Sequence, residues 1–281
     1  MTDNAVTDIN IAYQGIKGAY SEEAALKYFG GEKYSVPCRI FEDVFEKVSN
    51  GEAEAGVLPI ENSFTGAVYQ NYDLLLKSQL WISGETHIRI KHNLIAHPGA
   101  KIEDIKKVYS HPQGLGQCRK FLNKYPGIEQ MAAGNTAESV QLIKENGWKD
   151  AAAIASKNAA DYYEMEIIGE GIEDIEENYT RFLILTKERN VPEGADKTSI
   201  VYSVNNTPGA LYKSLSVFAL RDIGLSKIES RPLHGKPWEY FFYIDIDESI
   251  VNKNCSNALN HLREIADYFK VLGSYCRMEI T

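Results

Sequence analysis

Three observations predict an α/β protein of two lobes followed by a smaller α+β module. Strand-like and helix-like segments alternate from Ile9 to Leu185, the pattern of strand–helix–strand units that build mainly parallel sheets. Within that run, Glu85–Gly99 carries the chain out of one group of strands and into another, and the chain later returns; two lobes around a cleft result. Beyond the polar stretch Lys187–Lys197 the order changes to βαββαβ, the split-βαβ sandwich. The expected limits are residues 1–190 for the two-lobed region, with its second lobe at about 86–162, and residues 196–281 for the module.

The opening strand is Ile9–Tyr13, and the glycine-punctuated turn after it leads to a helix with acids in its first turn, Ser21 at the N-cap and Gly30-Gly31 as the stop. Gly15 and Gly18 lack the third glycine of a dinucleotide fingerprint, which leaves a tight turn or an anion site at a helix start. A helix ended by Gly51 and a strand, Glu54–Ile60, precede Glu61–Val68, where Glu61, Asn62, Ser63 and Thr65 can either cap the next helix or meet a polar ligand. In Glu85–Gly99, Ile88 and Ile90 share one face and His87, Arg89 and Lys91 the other. His87, His92 and His97 recur every five residues, which suits neither a helix nor a strand face, so no metal site is expected.

A strand at Lys107–Tyr109 leads through Ser110 to a helix with Pro112 near its start, on which Gln113 and Gln117 share a face. A helix capped by Thr136 and stopped by Gly147, the small-residue strand Asp150–Ser156 and a short helix bring the chain to Glu177–Leu185. There Thr180-Arg181 stands where a loop meets a buried strand: Thr180 offers one hydroxyl, and Arg181 a fork of donors suited to a carboxylate. The polar turns near Ser21, Asn62 and Ser110 converge with this pair if the ligand lies beyond the strand carboxyl ends. In the module, a helix capped by Thr207 with Pro208 at its first position runs to Gly224. Strands at Leu225–Leu233 and Trp238–Asp247, a helix at Asn257–Phe269 and a strand at Val271–Glu279 follow.

The totals narrow the function classes. The net charge of −9 argues against partners that need basic surface, nucleic acid and anionic membranes among them. No apolar run approaches the ~18 residues of a membrane span, the polar start is no secretory signal, and four cysteines without C-x-x-C spacing read as reduced thiols in the cytoplasm. A solute receptor or a ligand-sensing half of a regulator shares the two-lobed plan, but the residues show neither a signal peptide nor a DNA-binding module. An amino-acid sensor acting through the module alone has no use for Thr180-Arg181.

Taken together, Pro59–Gly66 (PIENSFTG), Ser110–Cys118 (SHPQGLGQC), Tyr179–Phe182 (YTRF), Asn206–Leu211 (NTPGAL) and Glu229–Pro232 (ESRP) resemble the motifs of prephenate dehydratases with a C-terminal ACT regulatory domain, over nearly the whole chain. The resemblance implies a periplasmic-binding-protein-like catalytic region and conversion of prephenate to phenylpyruvate, water and carbon dioxide without a cofactor, for phenylalanine biosynthesis, with arogenate as the alternative substrate. Some ~10 residues precede the first strand, so a form without a chorismate mutase domain is expected. Carried over motif by motif, Thr180, Arg181, Phe182, Asn62, Ser110 and Gln117 are the catalytic set, with Ser21, Ser63 and Thr65 as substrate contacts. Asn206, Gly209, Ala210, Leu211, Glu229, Ser230, Arg231 and Pro232 are the implied phenylalanine site, where two modules meet in a homodimer or homotetramer. Two places depart from the pattern: Ala19-Tyr20-Ser21 stands where Thr-Phe-Ser is usual and adds a phenol near the cleft, and Gly114 stands where alanine is usual.

Overall fold

The computed structural model describes residues 9–30, 34–233, 235 and 238–280. The chain forms two compact units, the first from residues 1–71 and 86–182, the second from 72–85 and 183–281. The polar stretch Lys187–Lys197 therefore lies inside the second unit.

In chain order the elements are β1 (Asn10–Gln14), α1 (Tyr20–Phe29), β2 (Tyr34–Cys38), α2 (Phe41–Asn50), β3 (Ala55–Asn62), β4 (Gly66–Ala67), α3 (Tyr69–Lys77) and β5 (Trp81–Arg89). The excursion follows as β6 (Asn93–Ala96), β7 (Lys107–Ser110), α4 (Pro112–Gln117), α5 (Arg119–Leu122), β8 (Glu129–Ala132), α6 (Thr136–Asn146), β9 (Ala151–Ala155), α7 (Lys157–Tyr162) and β10 (Glu166–Gly169). The chain returns through β11 (Tyr179–Thr186) to β12 (Lys197–Ser203), α8 (Ala210–Ala219), β13 (Leu225–Pro232), β14 (Tyr240–Ile246), α9 (Lys253–Ile265) and β15 (Tyr268–Tyr275).

The first unit holds two lobes, each built on a sheet. In one lobe the strands run β11-β3-β1-β2, β1 parallel to both neighbours, with β4 folded back on β3. In the other the order is β10-β6-β9-β7-β8. Its β7 is parallel to β8 and β9, but β6 is antiparallel to β9 and β10, because β6 brings the chain in against the direction of the strand–helix units that follow. The second lobe thus extends through Gly169, past the expected limit near 162.

Alternation along β9 explains how this lobe is packed. Ala151, Ala153 and Ala155 join a core with Ile95, Val140 and Ile143, while Ala152 and Ile154 join a second core with Leu94, Val108 and Leu122 on the opposite face. Methyl-sized side chains let helices lie close on both sides. Where the lobes meet, Gly18 (φ 83°) packs on α7 so closely that a Cβ would stand 2.6 Å from Ala159 Cα. Ser156 Oγ donates to the Gly18 carbonyl at 2.8 Å there. Glycine is required at this joint for both conformation and space.

Several helix starts correct the sequence reading. Ala19, not Ser21, is the N-cap of α1, so Ser21 lies inside the first turn. Asn135, not Thr136, caps α6, its side chain accepting from Glu138 N at 2.8 Å. Helix α8 begins at Ala210 behind Gly209 (φ 79°), so Thr207 is not its cap and Pro208 not its first residue, and it ends at Ala219 rather than near Gly224. Glu61 and Asn62 complete β3 and enter a small hairpin instead of a helix start.

In the second unit, β13-β14-β12-β15 form an antiparallel sheet joined by α8 and α9, the predicted βαββαβ topology. Tyr268 and Phe269, read as the end of a helix, open β15 instead: beside β12 their aromatic rings suit a half-buried pleated surface. Strand β15 also meets β5, pairing Gly273 with Ile82, where any Cβ would collide with the Ile82 carbonyl oxygen.

Candidate active site

A cavity of about 460 Å³ opens within the first unit. Strand β3 ends in it with Asn62, β11 lines it with Thr180 and Phe182, and the hairpin contributes Thr65–Val68. Facing groups are Tyr20 and Ser21 from α1, His111–Gly114 (without Pro112) and Gln117 around α4, Gly134–Thr136 at the start of α6, and Ile90 and His92 from the crossover.

Asn62 is the hub. Its Nδ2 donates to Thr180 Oγ1 at 3.0 Å, to Asn178 Oδ1 at 2.7 Å and to the Tyr179 carbonyl at 3.2 Å. Its Oδ1 accepts from Phe64 N at 3.0 Å, Thr65 N at 2.9 Å and Thr65 Oγ1 at 3.2 Å. One carboxamide therefore ties the hairpin to the strand that carries Thr180. Because Thr180 Oγ1 accepts from Asn62, its own O–H remains to donate into the cavity, polarised by the bond behind it.

Strand geometry sorts Thr180-Arg181-Phe182. Successive side chains on a strand point to opposite faces, and Thr180 and Phe182 are buried and line the cavity while Arg181, half-buried, does not. Arg181, expected to meet a ligand carboxylate, is not among the residues that line this cavity, in keeping with strand alternation. Two further expectations change. Ser110 is fully buried and gives its hydroxyl to the Ile154 carbonyl at 2.7 Å, holding β7 to β9 rather than reaching the cavity. Ser63 pins the hairpin to β11, its N donating to the Tyr179 carbonyl at 2.8 Å and its Oγ accepting from Tyr179 N at 3.0 Å. Ser21, Thr65 and Gln117 do line the cavity.

Among the described residues the cavity lining contains no Lys, Arg, Asp or Glu. Burial holds the pKa of His92 below its ordinary value, opposed by its bond to Gln117, and burial likewise lowers that of His111. Both rings are thus neutral at pH 7. An anion bound here meets neutral donors: the Thr180 hydroxyl, carboxamide N–H groups, and the first turn of α1, which has no side-chain cap. Burial of Tyr20 raises its pKa well above the ordinary phenol value, so it too is a neutral group, donating to the Lys91 carbonyl at 2.8 Å. Among the described residues no group of three or more His, Cys, Asp or Glu could hold a metal ion.

Asn135 does not figure among the sequence-derived candidates, and His92 figures there only as one of three histidines from which no metal site is expected. The spacing Asn135…Glu138 before an apolar helix was a legible capping signal. His92 carried none, because its partners Tyr20 and Gln117 lie far away in the chain.

The two-lobed α/β scaffold thus encloses an uncharged, donor-rich cleft suited to a small polar ligand. The prephenate dehydratase family model matches residues 11–190. The chain is 44% identical over 290 residues to arogenate dehydratase/prephenate dehydratase 1, chloroplastic, of Arabidopsis thaliana, covering 98% of this chain and 74% of that one. Among solved structures, prephenate dehydratase from Arthrobacter aurescens in complex with L-Phe is 33% identical, with a TM-score of 0.88 over 96% of this chain and 90% of that one. GqqA, described as a quorum-quenching acylase, is 31% identical with the same TM-score, over 96% and 98% of the two chains. The chain belongs to the prephenate dehydratase family, and its activity class is that of a dehydratase, a lyase.

Asn62→Asp tests the hub. The substitution keeps size and shape but sets a carboxylate oxygen against two acceptors, Asn178 Oδ1 and the Tyr179 carbonyl, and draws the Thr180 O–H back from the cavity. Thermal or urea denaturation should show a loss of about 1–3 kcal/mol, larger than for Thr180→Val, with turnover abolished; unchanged stability would show that the Nδ2 bonds do not form.

Proposed function

We propose that this chain converts prephenate to phenylpyruvate. The ring carboxylate leaves as carbon dioxide, its bonding electrons enter the ring, and the ring hydroxyl departs from the far end of the conjugated system; taking up one proton, it leaves as water. The ring becomes aromatic, so the reaction is strongly downhill and needs no cofactor. What the protein must supply is a donor to the departing oxygen and a way to hold a dianion.

The observation that carries this reading is the Asn62–Thr180 hydrogen bond, which aims one hydroxyl donor into an otherwise uncharged cleft. An alkyl alcohol is a weak acid, so Thr180 acts as a hydrogen-bond donor or proton relay rather than as a full general acid. The departing carboxylate gains most if it is poorly paired, because stabilising it in the ground state would slow its loss. A lining without Lys or Arg fits that requirement, and Phe182 walls the ring. Arogenate, named in the Arabidopsis relative, carries an ammonium in place of the keto group. The absence of Asp and Glu from the lining among the described residues favours the keto substrate.

We extend the proposal to control. Residues 1–190 are the catalytic domain and 196–281 an ACT regulatory domain that binds phenylalanine, with Asn206 and Gly209–Leu211 at the start of α8 and Glu229–Pro232 on β13. The αL residue Gly209 leaves the first turn of α8 without a side-chain cap, open to a carboxylate. Arg231 is paired with Asp73 at 2.7 Å, and Glu229 is the carboxylate of the motif that can meet the ammonium group. Tyr212, Leu220 and Ile228 are exposed apolar groups on this unit, which supports pairing with a second copy. The Arthrobacter relative, solved with L-Phe, lends the same support.

Release of phenylpyruvate, followed by its absorbance in alkali, tests the catalytic reading. Thr180→Val should fold and bind prephenate yet lose about 10²-fold in kcat, and Thr180→Ser should keep part of it. Valine turnover within about threefold of wild type would remove Thr180 from the reaction. In the same assay phenylalanine should inhibit wild type at saturating prephenate and leave Glu229→Ala unaffected; equal inhibition of both, or simple competition with prephenate, would overturn the regulatory site.

A further inference from the structure

His92 is 2% exposed and lies at the edge of the cavity with its ring fixed at both nitrogens. Nε2 is 2.7 Å from Gln117 Oε1, and Nδ1 is 3.2 Å from Tyr20 Oη. The Tyr20 and His92 rings meet edge to face, with centroids 5.9 Å apart. The backbone is held as well: His92 N donates to Glu173 Oε2 at 2.9 Å, and the His92 carbonyl accepts from Ile172 N at 2.9 Å.

The proton positions follow from what each partner can do. A carboxamide oxygen only accepts, so Nε2 must carry the proton, and in a neutral ring Nδ1 is then an acceptor. The Tyr20 hydroxyl gives its one proton to the Lys91 carbonyl at 2.8 Å, so Nδ1, 3.2 Å from Tyr20 Oη, is the weaker contact of the ring. Gln117 makes no other side-chain hydrogen bond among the described residues. With Oε1 committed to His92, its NH₂ is the end left for the cavity, and that end can only donate. Without His92, a half-turn of the carboxamide would present its oxygen to an anionic substrate instead.

We propose that His92 is a positioning residue for the dehydration: its Nε2–H fixes Gln117 Oε1 and so commits Gln117 to be an N–H donor towards the substrate's oxygen atoms. Three distant segments, α1, the crossover before β6, and α4, meet in this one arrangement. The proposal rests on the prephenate reading of the cleft, and the experiment separates the two.

Nitrogen-15 NMR of the histidine side chains in the wild-type protein at pH 7 needs no turnover. It should show His92 as the neutral Nε2–H tautomer; a ring protonated at Nδ1 alone would overturn the assignment whatever the substrate. In steady-state assays with prephenate, His92→Leu should lower kcat about tenfold or more, within the range of a lost preorganised donor. His92→Gln, whose side-chain N–H can reach the same oxygen, should stay within about threefold of wild type. In a Gln117→Leu background His92→Leu should cost nothing further, since the residue acts through Gln117. Equal losses in His92→Leu and His92→Gln, or a full additional loss in the Gln117→Leu background, would overturn the proposal. Should His92→Leu not fold, the tautomer and the His92→Gln rate decide: a folded glutamine variant slowed more than tenfold counts against it. A wild type that converts neither prephenate nor arogenate refutes the functional reading instead, and leaves the tautomer result standing.

Discussion

The Asn62 carboxamide is the constraint on which the rest of the site depends. Three acceptors on the Asn178–Thr180 segment and three donors on the hairpin converge on its two polar atoms. A half-satisfied buried amide would cost about 1–3 kcal/mol, so the network is stable only when the hairpin, β3 and β11 are all in place. It also sets polarity. Thr180 Oγ1 is made an acceptor from behind and so a donor in front, and no charged group is needed to orient it.

Polarity recurs around the cleft. His92 occupies the oxygen of Gln117, Glu138 N that of Asn135, and the hairpin N–H groups that of Asn62. The side-chain acceptors are used up internally, and the Gln117 NH₂ and the Thr180 O–H are left to face a ligand. This is an economical way to hold a dianion that must lose one of its carboxylates. A lysine or arginine would bind both carboxylates tightly in the ground state, whereas neutral donors at fixed positions can favour the departing oxygen.

Much of this was legible in the sequence, for identifiable reasons. The strand–helix alternation, the excursion through Glu85–Gly99 and the βαββαβ module rest on periodicity and stop residues, and glycines such as Gly51 and Gly147 end their helices in the left-handed conformation the sequence predicts. Asn62, Thr180, Phe182 and Gln117 lay in motifs and do line the cleft. Arg181 does not line the cleft beside Thr180, because neighbours on a strand face opposite ways. The Ser110 hydroxyl, which the sequence leaves available at the end of a strand, is taken up by the Ile154 carbonyl of the neighbouring strand. His92 could not be found from spacing, since its role depends on partners 72 and 25 residues away.

The most direct test is a crystal structure of Thr180→Val with prephenate bound, since valine keeps the shape of the site and slows turnover about 10²-fold. The account predicts the ring hydroxyl oxygen over the side chain of residue 180, near the ~2.7–3.2 Å at which a threonine hydroxyl would donate to it. Both carboxylates should be clear of Arg181, and Gln117 should have its nitrogen towards the ligand. A carboxylate seated on the Arg181 guanidinium, or a ring hydroxyl turned away from residue 180, would contradict it.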